Sequence, residues 1–96
     1  MRILLVEDEP VLSETLAAIL SHQHYTVDAV FDGTQALQMA LTGIYDVLIL
    51  DINLPGLDGL SVLRQLRAAQ QEVPVLLLSA KGEVADIIQG LDAGAN

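Results

Sequence analysis

The sequence predicts an α/β fold, a doubly wound parallel sheet with helices on both faces. Three observations predict it. Apolar runs alternate with stretches of helical period, as repeated βα units do. Most of those runs are continuous rather than alternating, as strands covered on both faces are. Three of them, Ile3–Val6, Val47–Leu50 and Val75–Leu78, stop at polar residues: Glu7 and Asp8, Asp51, and Ser79. In a parallel sheet these ends share one edge, where open α/β sheets place their ligand sites.

Each element has a local reason. Ile3–Val6 is the first strand. Pro10 suits the first turn of a helix, where a missing N–H costs nothing. Leu12, Leu16, Ile19 and Leu20 recur at helical spacing, so the first helix covers residues 10–22. Tyr25–Val30 reads as a second strand, and Thr26 and Asp28 mark it as an edge strand. Asp32-Gly33 is a turn signal. Ala36, Leu37, Ala40 and Leu41 form the stripe of a second helix, with Gly43 just past its end. Val47–Leu50 is a buried third strand, followed by a loop with two breakers, Asn53-Leu54-Pro55-Gly56. Leu60, Leu63 and Leu66 mark a third helix near residues 58–69, and Asp58 is placed to cap it. Pro74 opens the fourth strand, Val75–Leu78. Val84, Ile87, Ile88 and Leu91 mark a fourth helix, with Gly94 as its terminal cap.

Right-handed crossovers restrict the topology. The most apolar strands belong inside and the mixed second strand outside, which gives the order 2-1-3-4. Winding reverses between the first and third strands, and Glu7, Asp8 and Asp51 line that crevice.

The chain has 96 residues, 52% of them apolar, enough for one globular domain with one core. No apolar run approaches the ~20 residues that span a bilayer. The apolar stretch near the start is too short, and too soon followed by acids, for a signal peptide. There are no cysteines, which excludes disulfides and thiolate metal sites. A soluble cytoplasmic protein is the simplest expectation. Thirteen acids against four Lys and Arg leave a formal net charge of −9. Such a surface repels a phosphate backbone and suits a cation or a basic partner, so this domain is not expected to bind nucleic acid.

Two carboxylates about 5 Å apart repel by roughly 3 kcal/mol at an effective dielectric near 20. Either one takes up a proton or a cation binds. Oxygen ligands without His or Cys favour a hard ion. Magnesium would take one or two carboxylates, a backbone carbonyl such as that of Asn53, and waters. An Asp beside such an ion is also a candidate nucleophile toward a phosphoryl donor, forming an aspartyl-phosphate. That transfer depends mainly on positioning and charge neutralisation. Ser79, ending the neighbouring strand, could donate to a phosphoryl oxygen.

Residues in and near these motifs also have plainer roles. Glu9 reads as a helix-start charge rather than a ligand. Ser79 alone would be a turn residue, and Lys81 a solvated loop charge. His22 and His24 follow a helix end without further ligands and read as exposed histidines. Ile87 and Leu91 read as core or as part of a partner surface.

Four segments carry a resemblance: Leu5-Val6-Glu7-Asp8-Glu9-Pro10, Asp51-Ile52-Asn53-Leu54-Pro55-Gly56-Leu57-Asp58-Gly59, Ser79-Ala80-Lys81 and Gly90-Leu91-Asp92-Ala93-Gly94-Ala95-Asn96. In this order and spacing the chain resembles the receiver domain of bacterial two-component response regulators. The resemblance implies a flavodoxin-like receiver fold, here (βα)₄ of an expected (βα)₅. It implies that Asp51 accepts a phosphoryl group from a sensor histidine kinase to control an output domain, a transcription regulator of the winged-helix kind. It implies Mg²⁺ bound by Glu7, Asp8, Asp51 and the Asn53 carbonyl, with Ser79 as the switch hydroxyl. Pro55 and Gly59 would shape the loop after the acceptor.

The sequence departs from the family pattern at its end. The family's fifth strand and helix, with a lysine that contacts the phosphoryl group, follow the segment at which this sequence stops. Lys81 does not replace that lysine. Residues 1–96 are therefore expected to be a C-terminally incomplete receiver domain with Val75–Leu78 as an uncovered edge. That edge leads to an expected homodimer, with or without exchange of elements. The alternative function is a magnesium-binding interaction fragment that dimerises but is not phosphorylated. An aspartyl-phosphate hydrolase of the haloacid dehalogenase type ranks last. It needs a second Asp two residues after the nucleophile, where this chain has Asn53.

Overall fold

The computed structural model describes residues 1–78. The fourth helix, Ser79, Lys81 and Gly94 lie outside the described residues. The order of elements is β1 (Arg2–Val6), α1 (Pro10–His22), β2 (Thr26–Val30), α2 (Gly33–Ala40), β3 (Val47–Asp51), α3 (Gly59–Ala68) and β4 (Val75–Leu78). The strands form one parallel sheet in the order β2-β1-β3-β4. This is the predicted topology, with β2 at an edge.

Alternate residues of each strand point to opposite faces. Leu4, Val6, Leu48, Leu50, Val75 and Leu77 join Ala36 and Ala40 of α2 and Val62, Leu63 and Leu66 of α3 in one buried core. Winding reverses after β2, so right-handed crossovers carry α1 to the other face, where it packs on β1 and β2. Ile3 and Leu5, which point that way, are also buried.

Two expectations are corrected by the fold. Asp32-Gly33 is a helix start rather than a free turn. Gly33 opens α2, and the Asp32 carboxylate accepts from the Gln35 amide at 2.7 Å. A carboxylate facing the unpaired amides of a first turn is an N-cap, a role open to the same residue type that favours turns. The stripe of α1 is also turned by about one residue. Leu12 and Ile19 are 42% and 56% exposed, whereas Ser13 is buried. The helix meets the sheet along Ser13, Leu16, Ala17 and Leu20, also a helical series of spacing three and four. Small residues at 13 and 17 let the helix approach closely.

Other boundaries move by one residue: β1 begins at Arg2, β2 at Thr26, and β3 extends to Asp51. Asp58 caps α3, its carboxylate accepting from the amide and hydroxyl of Ser61. Gly43 lies past α2 with φ +77°. No helix among the described residues is long and apolar enough to cross a membrane.

The starting edge of the sheet is tied by polar contacts. Arg2 pairs with Asp28 at 3.2 Å, and the Tyr45 hydroxyl donates to the same carboxylate at 2.7 Å. These partners hold the Asp28 carboxyl below its usual range, the tyrosine bond foremost. Sequence pattern does not reveal this cluster because its members lie up to 44 residues apart; Asp46 closes it by accepting from the Arg2 amide.

Candidate functional site

The finishing edge of the sheet is built differently. β1 and β3 pair in register, Val6 beside Leu50. The next residues on each strand, Glu7 and Asp51, therefore emerge side by side. Both are buried, at 4% and 8% exposure, while the adjacent Asp8 is exposed. Glu7, Asp8 and Asp51 each offer a carboxylate oxygen, and these oxygens lie within 4.8 Å of one another. Among the described residues this is the one group of three or more acidic or histidine side chains so arranged. His22 and His24 do not join it. His22 ends α1, and His24 follows with a left-handed φ of 69°.

Each carboxylate is held by its own backbone neighbourhood. The Glu7 amide donates to the Val30 carbonyl at 3.2 Å, which fixes the chain as it leaves β1. The Glu9 amide donates to Glu7 Oε2 at 3.2 Å. Glu9 itself turns away and caps α1, accepting from the amides of Val11 and Leu12. It is a helix-start charge, as its sequence position suggested. Across the crevice the Asn53 amide donates to Asp51 Oδ1 at 3.1 Å. The Ile52 amide donates to the Leu78 carbonyl at 2.8 Å, which ties the end of β3 to the end of β4. Leu78 lies opposite Asp51 in register. Ser79, the next residue, lies outside the described residues.

The electrostatics follow from this packing. The Glu7 carboxyl is pushed up to about 7, with burial the largest cause. A hydrogen bond shared with Asp51 and the negative charge of Asp51 contribute to that rise, and the Glu9 amide works against it. A buried acid that keeps its proton near neutrality beside another carboxylate marks missing positive charge. Among the described residues, the arginines are engaged elsewhere. Arg2 sits at the opposite edge of the sheet, Arg64 acts on Asp58, and Arg67 donates to the carbonyls of Gln71 and Val73. The donor set is all oxygen, from carboxylates at short mutual distance, which fits a hard divalent cation better than a soft one.

The loop after Asp51 is held at both ends. The Gly59 amide donates to the Ile52 carbonyl at 2.8 Å. A Cβ on Gly59 would overlap the Asp51 carbonyl and fall 2.8 Å from Ile52 Cα, so only glycine lets α3 begin this close to the end of β3. Leu54 points into the core, while Asn53 and Pro55 on either side are exposed. Gly56 adopts φ +77°. The loop-shaping role expected for Gly59 thus has a steric basis.

Comparison with known proteins gives this edge its context. The pattern of the response regulator receiver domain matches residues 3–96. The chain is 47% identical over its whole length to the transcriptional regulatory protein DltR of Streptococcus agalactiae, of which it spans 43%. Among solved structures it resembles the receiver domain of the Francisella response regulator 1452. There the TM-score is 0.88 at 30% identity, covering 99% of this chain and 78% of that one. It also resembles the response regulator TrrA of Thermotoga maritima, solved in complex with Mg²⁺–BeF. That match has a TM-score of 0.77 at 39% identity and covers 82% of this chain and 69% of the other. The family pattern extends over nearly all of the sequence, and the sheet order and the acidic edge agree with it: the chain belongs to the response regulator receiver domains.

Proposed function

We propose that this chain accepts a phosphoryl group on Asp51 from a sensor histidine kinase, with Mg²⁺ held by Glu7, Asp8, Asp51 and the Asn53 backbone carbonyl. The observation that carries the proposal is the convergence of three carboxylates within 4.8 Å at the ends of β1 and β3. The Mg²⁺–BeF complex of the Thermotoga neighbour supports the choice of metal. The regulatory name of the Streptococcus relative supports a transcription-regulating output. On this reading the chain works in the cytoplasm as a signalling module rather than a turnover enzyme.

An Asp51 oxygen would attack phosphorus and form the O–P bond. The N–P bond of the phosphohistidine would break, its electron pair leaving with the imidazole. A bound Mg²⁺ would neutralise the carboxylates and the phosphoryl oxygens. Asp51 is suited to attack because its backbone is pinned by β4 and by the start of α3. The Asn53 amide, already donating to Oδ1, leaves the other oxygen to react. Glu7 must give up its proton for the metal to bind. Ser79 would donate its hydroxyl to a phosphoryl oxygen.

The test is incubation with a small-molecule phosphodonor and Mg²⁺, read by intact mass. The expected result is one added phosphoryl group, lost in Asp51→Asn and absent when the metal is chelated. An unmodified wild type that still binds Mg²⁺ would overturn phosphotransfer and favour the interaction-fragment reading. The proposal includes pairing of two copies through β4, which has no second neighbour among the described residues. Light scattering at high micromolar concentration should then give a dimer mass, and a monomer mass would refute pairing.

A further inference from the structure

We infer that Gly33, at the start of α2, is a positioning residue for the loop that carries the Asn53 carbonyl, and so for the affinity of the acidic site. The inference rests on the metal-binding reading above. Gly33 is buried, and its amide donates to the Pro55 carbonyl at 3.2 Å. A Cβ at this position would overlap the Leu57 carbonyl oxygen and fall 2.6 Å from its carbon. The obstacle is backbone, so a side-chain rotamer cannot relieve it. One turn of α2 therefore lies directly on the loop and touches it at two carbonyls. The two segments are close at a further point as well: a Cβ added to Gly56 would fall 3.1 Å from Thr34 Oγ1.

The softer partner in this contact is the loop. α2 is anchored by Ala36 and Ala40, at 0% and 2% exposure, whereas Pro55 and Gly56 are exposed. A methyl group at residue 33 would push residues 55–57 outward. Leu54, held in the core, is the pivot between them and Asn53. Rotation about that pivot turns the Asn53 peptide, whose amide touches Asp51 and whose carbonyl is the assigned ligand. Gly33 touches none of the acids. Its effect passes through the loop alone.

The experiment is Gly33→Ala in the 96-residue chain, compared with wild type and with Gly43→Ala. Gly43 is the control because its left-handed backbone, φ +77°, also strains an added Cβ, while the nearest atom to that Cβ is Gln71 Oε1 at 4.0 Å. It lowers stability without touching the loop. Two quantities are read: the Asn53 amide chemical shift in metal-free protein, and the Mg²⁺ dissociation constant by calorimetry, both below the thermal midpoint. Gly33→Ala should shift the Asn53 amide and weaken Mg²⁺ binding by about tenfold, as loss of outer-shell support at a metal site does. Gly43→Ala should change neither.

An unchanged Asn53 amide in Gly33→Ala would overturn the inference. So would Mg²⁺ affinity equal to wild type, or equal losses in both variants. If wild type binds no Mg²⁺, the metal reading fails. The metal-free amide shift then still decides whether Gly33 sets the loop. If Gly33→Ala does not fold, Asp32→Ala takes its place. It removes the cap that holds the same turn and should move the Asn53 amide in the same test; an unmoved amide would overturn the inference.

Discussion

Glu7 shows how one buried side chain couples stability to pH. Its carboxyl ionises near 7 in the folded chain against 4.5 when unperturbed, chiefly because burial disfavours the charge. Between those values the folded state holds a proton that the unfolded state has lost. The associated stability is therefore complete below about 4.5, declines as pH rises through that window, and is gone above about 7. Its size is on the order of 3 kcal/mol. Metal-free protein should show a falling thermal midpoint across this window, and Glu7→Gln should flatten it. A midpoint that rises with pH would contradict the assignment. Bound Mg²⁺ requires the ionised form, so its affinity should increase over the same range. Glu7 and Asp51 were legible in the sequence because both terminate apolar runs. That Glu7 would hold its proton was not legible. It depends on 4% exposure, which only the packed chain determines.

At the scale of elements, the order of strands and helices could be read from period and punctuation. The faces could not be read as well. Leu12 and Ile19 looked like core because they are large and apolar, yet Ser13 took the buried position on α1. Periodicity finds a helix but does not say which of two neighbouring stripes meets the sheet when small residues favour close approach. The turn at Asp32-Gly33 failed for a related reason. The same carboxylate can close a turn or cap a helix, and the next few residues decide which amides it meets. Because Asp32 caps α2, Asp32→Ala should cost about 1 kcal/mol in denaturant unfolding. Leu50 is fully buried in the core between the sheet and its helices, so Leu50→Ala should cost roughly 2–5 kcal/mol. A change under about half a kcal/mol at either position would show that the element is not held as described. Gly33 and Gly59 were visible only as loop formers in the sequence. Their intolerance of a Cβ is a property of two backbones meeting, which no single-segment pattern contains.

Across the whole molecule, an excess of acid sets the response to ions. The formal net charge is −9, so the folded chain repels itself at low ionic strength. Monovalent salt screens that repulsion over about 10 Å at 0.1 M and should raise the thermal midpoint gradually. Mg²⁺ should raise it further at equal ionic strength. Excess ligand at 100 times its dissociation constant adds about 2.7 kcal/mol. Asp51→Asn should keep the response to monovalent salt and lose most of the response to Mg²⁺. Equal responses in both proteins would place the metal elsewhere. The domain class was legible at this scale, since composition and alternation agree on it. The contrast between the two rims of the sheet was not. At one rim Arg2, Tyr45 and Asp28 satisfy one another; at the other, three acids face each other with no base beside them among the described residues. The molecule thus has a settled pole and an unsettled one. Folding alone quiets the first; the second keeps a proton on Glu7 instead, and on the proposed reading a visiting divalent ion would displace it, which would tie this end's readiness to react to the supply of free ion outside.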